Sequence, residues 1–338
     1  MVDDRAQRVR LPGLSSRAYE HPADRSALVA LRKVPGFAQV LKAFAGMVGD
    51  RALRLQFLAS GVKVGERQFA GVHGLFTESA EILGLPERPE LYVTQAPVPQ
   101  AACLGMETPF VVVTTGLLDL VEDEELRWVL GHELGHALSG HAVYRSMLYY
   151  LSSMAINAAG LAGLPVLAVV TALREWYRKA ELSADRAGLL AGQDPDAAIR
   201  ALMKLAGGAR LDQMDPEAFL AQAAEYEAAG DVRDGLLKLM NQQAITRPYP
   251  VVRAGSLTAW VAEGHYARII GGEYPRTEED PLVKPLDEVK AAAREYKTTI
   301  EKSTDPLWKF VRGAADDVGR AGGTVIDKLD KFRRGPEQ

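Results

Sequence analysis

Apolar residues recur at i, i+3 and i+4 from Ser26 to Lys33 and again from Phe37 to Met47, with Pro35-Gly36 between, so helices are expected between His21 and about Leu58. Residues 1–20 hold Pro12, Gly13, Ser15 and Ser16 without any period, which predicts a mobile arm. A further helical pattern runs from about Glu66 to Leu83 and stops at Gly84. Strand signals follow. Glu90 to Gln95 forms a short run after Pro89, and Ala101–Gly105 and Pro109–Thr115 are spaced to pair as a hairpin about Met106-Glu107-Thr108. Val121 to Leu126 then opens a helix, with Asp123 expected as its N-cap and a cluster of carboxylates suited to the positive end of the helix dipole.

Downstream, Arg174 to Gly188 reads as a helix. Residues 194–240 are helical, punctuated by Asp194-Pro195, Gly207-Gly208 and Asp215-Pro216, and Val251 to Gly264 forms one more helix. The composition changes after Pro275. Residues 276–338 are charged and helical, broken at Pro281, Pro285 and Pro306, and packing of this tail on the domain is the default expectation. The whole is an α+β chain, mostly α-helical, with one small sheet. Its organisation is an arm over 1–20, one domain over 21–275 and the tail.

Composition narrows this only modestly. The chain has 338 residues with 47% hydrophobic, ample for a core, and a net charge of −4 gives no basic footprint for nucleic acid. The single cysteine, Cys103, excludes an internal disulfide and fits a reducing compartment. The charged start, Met1 to Arg8, runs into no apolar segment, so no signal peptide is expected and a cytoplasmic location is.

The chemistry gathers at His132-Glu133-Leu134-Gly135-His136. Histidines four apart on a helix share a face, so two imidazoles can reach one zinc ion, and the adjacent Glu133 is placed to take a proton from water. The pentapeptide also arises by chance, so the third ligand decides its meaning. His141 fails the HExxHxxGxxH spacing by one residue, and on a continuing helix it would point about 180° from His132. A polar or supporting role suits it better. Glu181 and Asp185 lie i, i+4 on one helical face. Alone they describe a solvated surface with pairs such as Glu181–Arg178. Behind HELGH they describe a third ligand and a carboxylate that orients an imidazole.

Four pieces in order carry a resemblance: Gln100 to Gly105 before a strand, Thr115 to Leu118 with Asp123 to Leu126, HELGH at 132–136, and Glu181-Leu-Ser-Ala-Asp185. Together they resemble the gluzincin metallopeptidases that include the CAAX prenyl endopeptidase and the bacterial membrane heat-shock protease, over roughly residues 65–260. The resemblance implies a zincin-like fold and one zinc ion held by His132, His136 and Glu181. It further implies Glu133 as general base, Asp185 behind a ligand, and the strand Ala101, Ala102, Cys103, Leu104 and Gly105 along the peptide substrate. Thr246, Pro248 and Arg253 match the family, but Arg247 stands where it carries a histidine; Arg247 and Arg253 are the candidates to stabilise the transition state. Arg247 also leaves open a second reading, a zinc-stabilised peptide-binding module with little proteolysis.

Such a ligand set constrains the uncharged stretch from Ser146 to Leu173. A membrane span takes about 20 residues, so this stretch fits one crossing and not two. One crossing would part His136 from Glu181. Two apolar helices folded back near Gly163-Leu164-Pro165 are expected instead, as a packed or lid-like hairpin, with an oligomer interface or membrane insertion as the other roles. This hairpin and the tail are the surfaces for peripheral membrane contact.

Overall fold

The computed structural model describes residues 8–38, 41, 50–105, 108–157, 164–228 and 248–280. The tail from 281, the turn at 106–107, the middle of the apolar stretch and Arg247 lie outside the described residues. Among the described residues the elements are α1 (Pro22–Arg32), α2 (Asp50–Ser60), β1 (Val62–Lys63), α3 (Ala70–Ile82), β2 (Glu90–Thr94), β3 (Ala101–Leu104), β4 (Phe110–Thr114) and α4 (Thr115–Leu118). There follow α5 (Asp123–Leu138), α6 (Ala142–Asn157), α7 (Leu164–Gly192), α8 (Pro195–Gly207), α9 (Pro216–Ala228), α10 (Pro250–Ala262) and α11 (His265–Ile270). The fold is α+β, mostly helical, with one four-stranded sheet.

The strands are ordered β1-β2-β4-β3. β3 and β4 form the expected antiparallel pair, with Ala101 opposite Val113 and Leu104 opposite Phe110, whereas β2 and β4 run parallel. Strand alternation sends side chains to two cores. Leu91, Val93, Ala101, Cys103, Val111 and Val113 join the main core with α5 and α7. Tyr92, Leu104, Phe110 and Val112 face the other way, onto Leu53 and Phe57 of α2 and Tyr150 of α6. β3 is left at the edge, beside α5.

The helix opening at 123 is capped one residue earlier than expected. Glu122 is the N-cap, and its backbone N–H donates to the Glu125 carboxylate at 2.9 Å. A capping box outcompetes Asp123 because the Glu at N3 reaches back to a backbone donor that nothing else satisfies. The arm also needs correction. Leu11, Leu14 and Tyr19 are buried in the main core, Leu11 N–H donates to Ile82 O at 2.7 Å, and Leu14 bridges to Arg276. Three anchoring side chains without a helical or strand period leave no pattern for sequence reading to find. The first residues of the tail dock here as well, with Thr277 N–H donating to Gly13 O at 2.9 Å.

The apolar stretch falls on α6 and the start of α7, which pack through Tyr144, Met147 and Leu148 against Val169, Val170 and Leu173. No helix among the described residues is long and apolar enough to cross a membrane.

Candidate metal centre

Helices α5 and α7 set the site by approaching unusually closely. A Cβ placed on Gly131 would stand 2.3 Å from Ala191 Cβ, and one on Gly135 would stand 2.4 Å from Ala187 Cβ. Only glycine fits at these two places, because a methyl group cannot yield as a long side chain can. Gly131 and Gly135 are four apart, so they form one smooth stripe on α5. The same close approach of the two helices brings His132 and His136 of α5 face to face with Glu181 and Asp185 of α7 in the interior.

There His132, His136 and Glu181 each offer a ligand atom within 4.8 Å of the others, and all three are buried. His132 Nε2 and His136 Nε2 are 3.2 Å apart, and Glu181 lies 3.1 Å from His136 Nε2 and 3.6 Å from His132 Nε2. Ligands 2.0–2.1 Å from a tetrahedral zinc ion stand about 3.3–3.4 Å from one another. The spacing and the chemistry, two imidazoles and one carboxylate, therefore fit a zinc ion with one position left for a reactant.

Each histidine is backed from behind. His132 Nδ1 is 2.9 Å from Asp185 Oδ1, and Arg253 grips Asp185 through Nε at 2.9 Å and Nη2 at 2.5 Å. Burial raises the Asp185 carboxyl, but the Arg253 guanidinium together with His132 overcomes it and holds the carboxyl below the usual range. Asp185 then accepts from His132 Nδ1–H, which turns the Nε2 lone pair to the cluster. Arg253 thus supports an imidazole through Asp185, and it also lines the opening beside His132 and Glu133. Burial pushes His136 well below the usual imidazole range, helped by Arg145, whereas on His132 the carboxylates of Glu181 and Asp185 outweigh burial and raise it.

Behind His136 stands His141, with Nδ1 to Nδ1 at 3.0 Å. The helix ends at Leu138, and Gly140 at φ 68° turns the chain, so His141 comes back to His136 instead of pointing away. His141 thus stands behind His136 and outside the three-residue cluster.

Glu133 is buried and accepts from Arg145 Nη1 at 2.7 Å; Arg145 Nη2 donates to Tyr177 Oη at 2.9 Å. Sequence reading missed Arg145, Tyr177 and Asp24. Arg145 borders the uncharged stretch and looks like a flanking surface charge, and only its burial reveals its use. An opening reaches the cluster, lined by Gln100, Ala101, Trp128, His132, Glu133 and Arg253 among others. The start of β3 thus borders His132 and Glu133. Gly105 N–H donates to Ser146 Oγ at 2.8 Å, so the far end of that strand is tied to α6. Ala101 and Cys103 point into the main core, and burial pushes the Cys103 thiol up to about 12, which leaves it protonated and inert.

A helix carrying two histidines and a glutamate, a carboxylate facing them from a second helix and an edge strand alongside define a zincin-like metallopeptidase domain. A sequence profile of Peptidase family M48 matches residues 66–261. The chain is 35% identical over 262 residues to the plastoglobule-localized metallopeptidase 48 of Arabidopsis thaliana chloroplasts, covering 76% of each protein. It is also 29% identical over 170 residues to protease HtpX homolog 2 of Methanosarcina mazei, covering 43% of this chain and 58% of that protein, and 28% identical over 213 residues to a protease HtpX homolog of Tropheryma whipplei, covering 54% and 70%. No solved structure matches. The chain belongs to peptidase family M48.

Proposed function

We propose that the protein is a zinc-dependent endopeptidase acting on protein substrates, with His132, His136 and Glu181 as ligands and Glu133 as general base. The observation that carries this is the meeting of three buried ligand atoms within 4.8 Å of one another, with Glu133 and His132 lining one opening. A bound zinc ion supplies Lewis-acid polarisation of the scissile carbonyl and acidifies water at the site. An extended substrate pairs with the edge of β3 by main-chain hydrogen bonds, which draws its backbone past His132 and Glu133. Glu133 takes the proton of the attacking water and returns it to the leaving amine. Asp185 fixes the His132 ring, and Arg253 fixes Asp185. Arg247 is the candidate donor to the developing oxyanion. The plastoglobule-localised relative extends the reading to action beside a membrane surface.

One observation favours a second reading, a peptide-binding module that does not cut: Arg145 already holds Glu133 in a buried ion pair at 2.7 Å. Glu133→Gln separates the two. Under the first reading, cleavage of casein or of a peptide library falls by at least about 100-fold, the low end for loss of a general base, while zinc stays bound. Wild-type protein carrying one zinc per chain that cleaves nothing would establish the second.

A further inference from the structure

The carboxylate that completes the His136 side of the centre comes from outside the stretch that matches the family. Asp24 lies on α1, residues 22–32, whereas the match begins at residue 66. Its side chain is buried, and Oδ2 stands 3.3 Å from His141 Nε2. Two neutral donors fix it there: Ser183 Oγ–H donates to Oδ2 at 2.6 Å and Trp176 Nε1–H donates to Oδ1 at 3.1 Å. His141 in turn packs edge-on against Trp176, with ring centroids 5.3 Å apart. The N-terminal segment is held in place independently, since Tyr19 Oη donates to Gly135 O at 3.2 Å and His21 N–H donates to Ser183 Oγ at 2.9 Å.

We infer that Asp24 and His141 are positioning residues for His136, and that the N-terminal segment is an integral part of the metal centre. This rests on the zinc reading of the cluster and deepens it. The positions of the protons decide the roles. A carboxylate facing a ring nitrogen accepts and cannot donate, so Asp24 favours the His141 tautomer that carries its proton on Nε2. His141 Nδ1 is then a bare acceptor. The atom it meets at 3.0 Å is His136 Nδ1, which must carry the proton. His136 Nε2 is thereby left with its lone pair toward His132 and Glu181. Asp185 does this for His132 directly; Asp24 does it for His136 through one intervening imidazole. Supporting partners of this kind are each worth about 10–100-fold in metal affinity.

The test is zinc affinity by chelator competition on the full-length protein, together with the visible absorption spectrum of the cobalt-substituted form. In His141→Ala and in Asp24→Asn, zinc Kd is expected to rise about 10–100-fold and the cobalt bands to shift. Asp24→Asn acts because an amide turns an N–H toward one of three donors. His141→Asn presents a carbonyl oxygen near the place of Nδ1 and is expected to restore affinity to within about threefold, a small part of the range set by such partners. A role confined to core packing predicts no such rescue. Wild-type affinity and an unshifted cobalt spectrum in His141→Ala would overturn the inference while leaving the zinc site intact. Wild-type protein that binds no zinc would overturn the zinc reading and this inference with it. Should His141→Ala not fold, Asp24→Asn and His141→Asn give the same comparison.

Discussion

The two histidines of the cluster are supported from opposite sides by different chemistry. His132 leans on Asp185 and Arg253, a buried ion pair in which a guanidinium meets both carboxylate oxygens. His136 leans on His141 and Asp24, where the carboxylate is met by an indole N–H, a hydroxyl and an imidazole. The first support is charged and comes from α7 and α10. The second has no permanent cation and comes from the turn after α5 and from α1. The difference teaches where stability and where ligand geometry reside. Removing one member of the charged pair strands a buried charge, whereas altering the second disturbs chiefly the direction of hydrogen bonds.

The sharpest way to break that comparison is Asp185→Ala. It leaves Arg253 buried without its carboxylate, and a loss of about 3–5 kcal/mol is expected in denaturant unfolding of the metal-free protein. Asp24→Asn is expected to cost less, about 1–3 kcal/mol, because it leaves only a neutral donor poorly met. Equal losses would show that the two supports do not differ as described. Gly135→Ala tests the frame that holds both sides together. Overpacking of a filled contact costs typically about 1–3 kcal/mol, and the methyl group must push α5 from α7, so zinc affinity is expected to fall along with the melting temperature. A variant of unchanged affinity would mean that the cluster tolerates a wider helix separation.

The smallest effect concerns pH and α1. His21 caps this helix, with Nδ1 accepting from Ala23 N–H at 3.1 Å. Burial, helped by Arg186, lowers its pKa to about 4. A base whose pKa is lower folded than unfolded binds its proton more readily in the unfolded chain. Its contribution is therefore complete above the unfolded value near 6.5 and is lost as pH falls from there toward 4. His21→Asn keeps a capping oxygen that does not titrate, so the slope of unfolding free energy between pH 6.5 and 4 is expected to flatten in that variant. An identical slope would remove His21 from the account.

The same asymmetry explains what the sequence disclosed. His132, Glu133, His136, Glu181 and Asp185 sit at fixed short spacings on two helices, so periodicity alone puts them on common faces. The strand pair and the predominance of helix were legible for the same reason. Asp24 was not, because it lies far from His141 along the chain and behaves locally as an ordinary first-turn acid of α1. Leu11, Leu14 and Tyr19 were missed because single anchors carry no period. Arg145 and Arg253 show a further limit: a guanidinium in a sequence does not reveal which carboxylate it meets. Arg253 was expected near the reacting carbonyl; it lines the opening beside Glu133, and its grip on Asp185 was not legible.

The central claim is a zinc ion bound by His132, His136 and Glu181, and zinc-edge X-ray absorption of the purified protein tests it most directly. About one zinc per chain is expected in a shell of nitrogen and oxygen at about 2.0–2.2 Å, with a scattering signature of two imidazoles that falls to one or is lost with the metal in His132→Ala. An absent edge, or a sulfur shell near 2.3 Å in which Cys103 holds the metal, would contradict it.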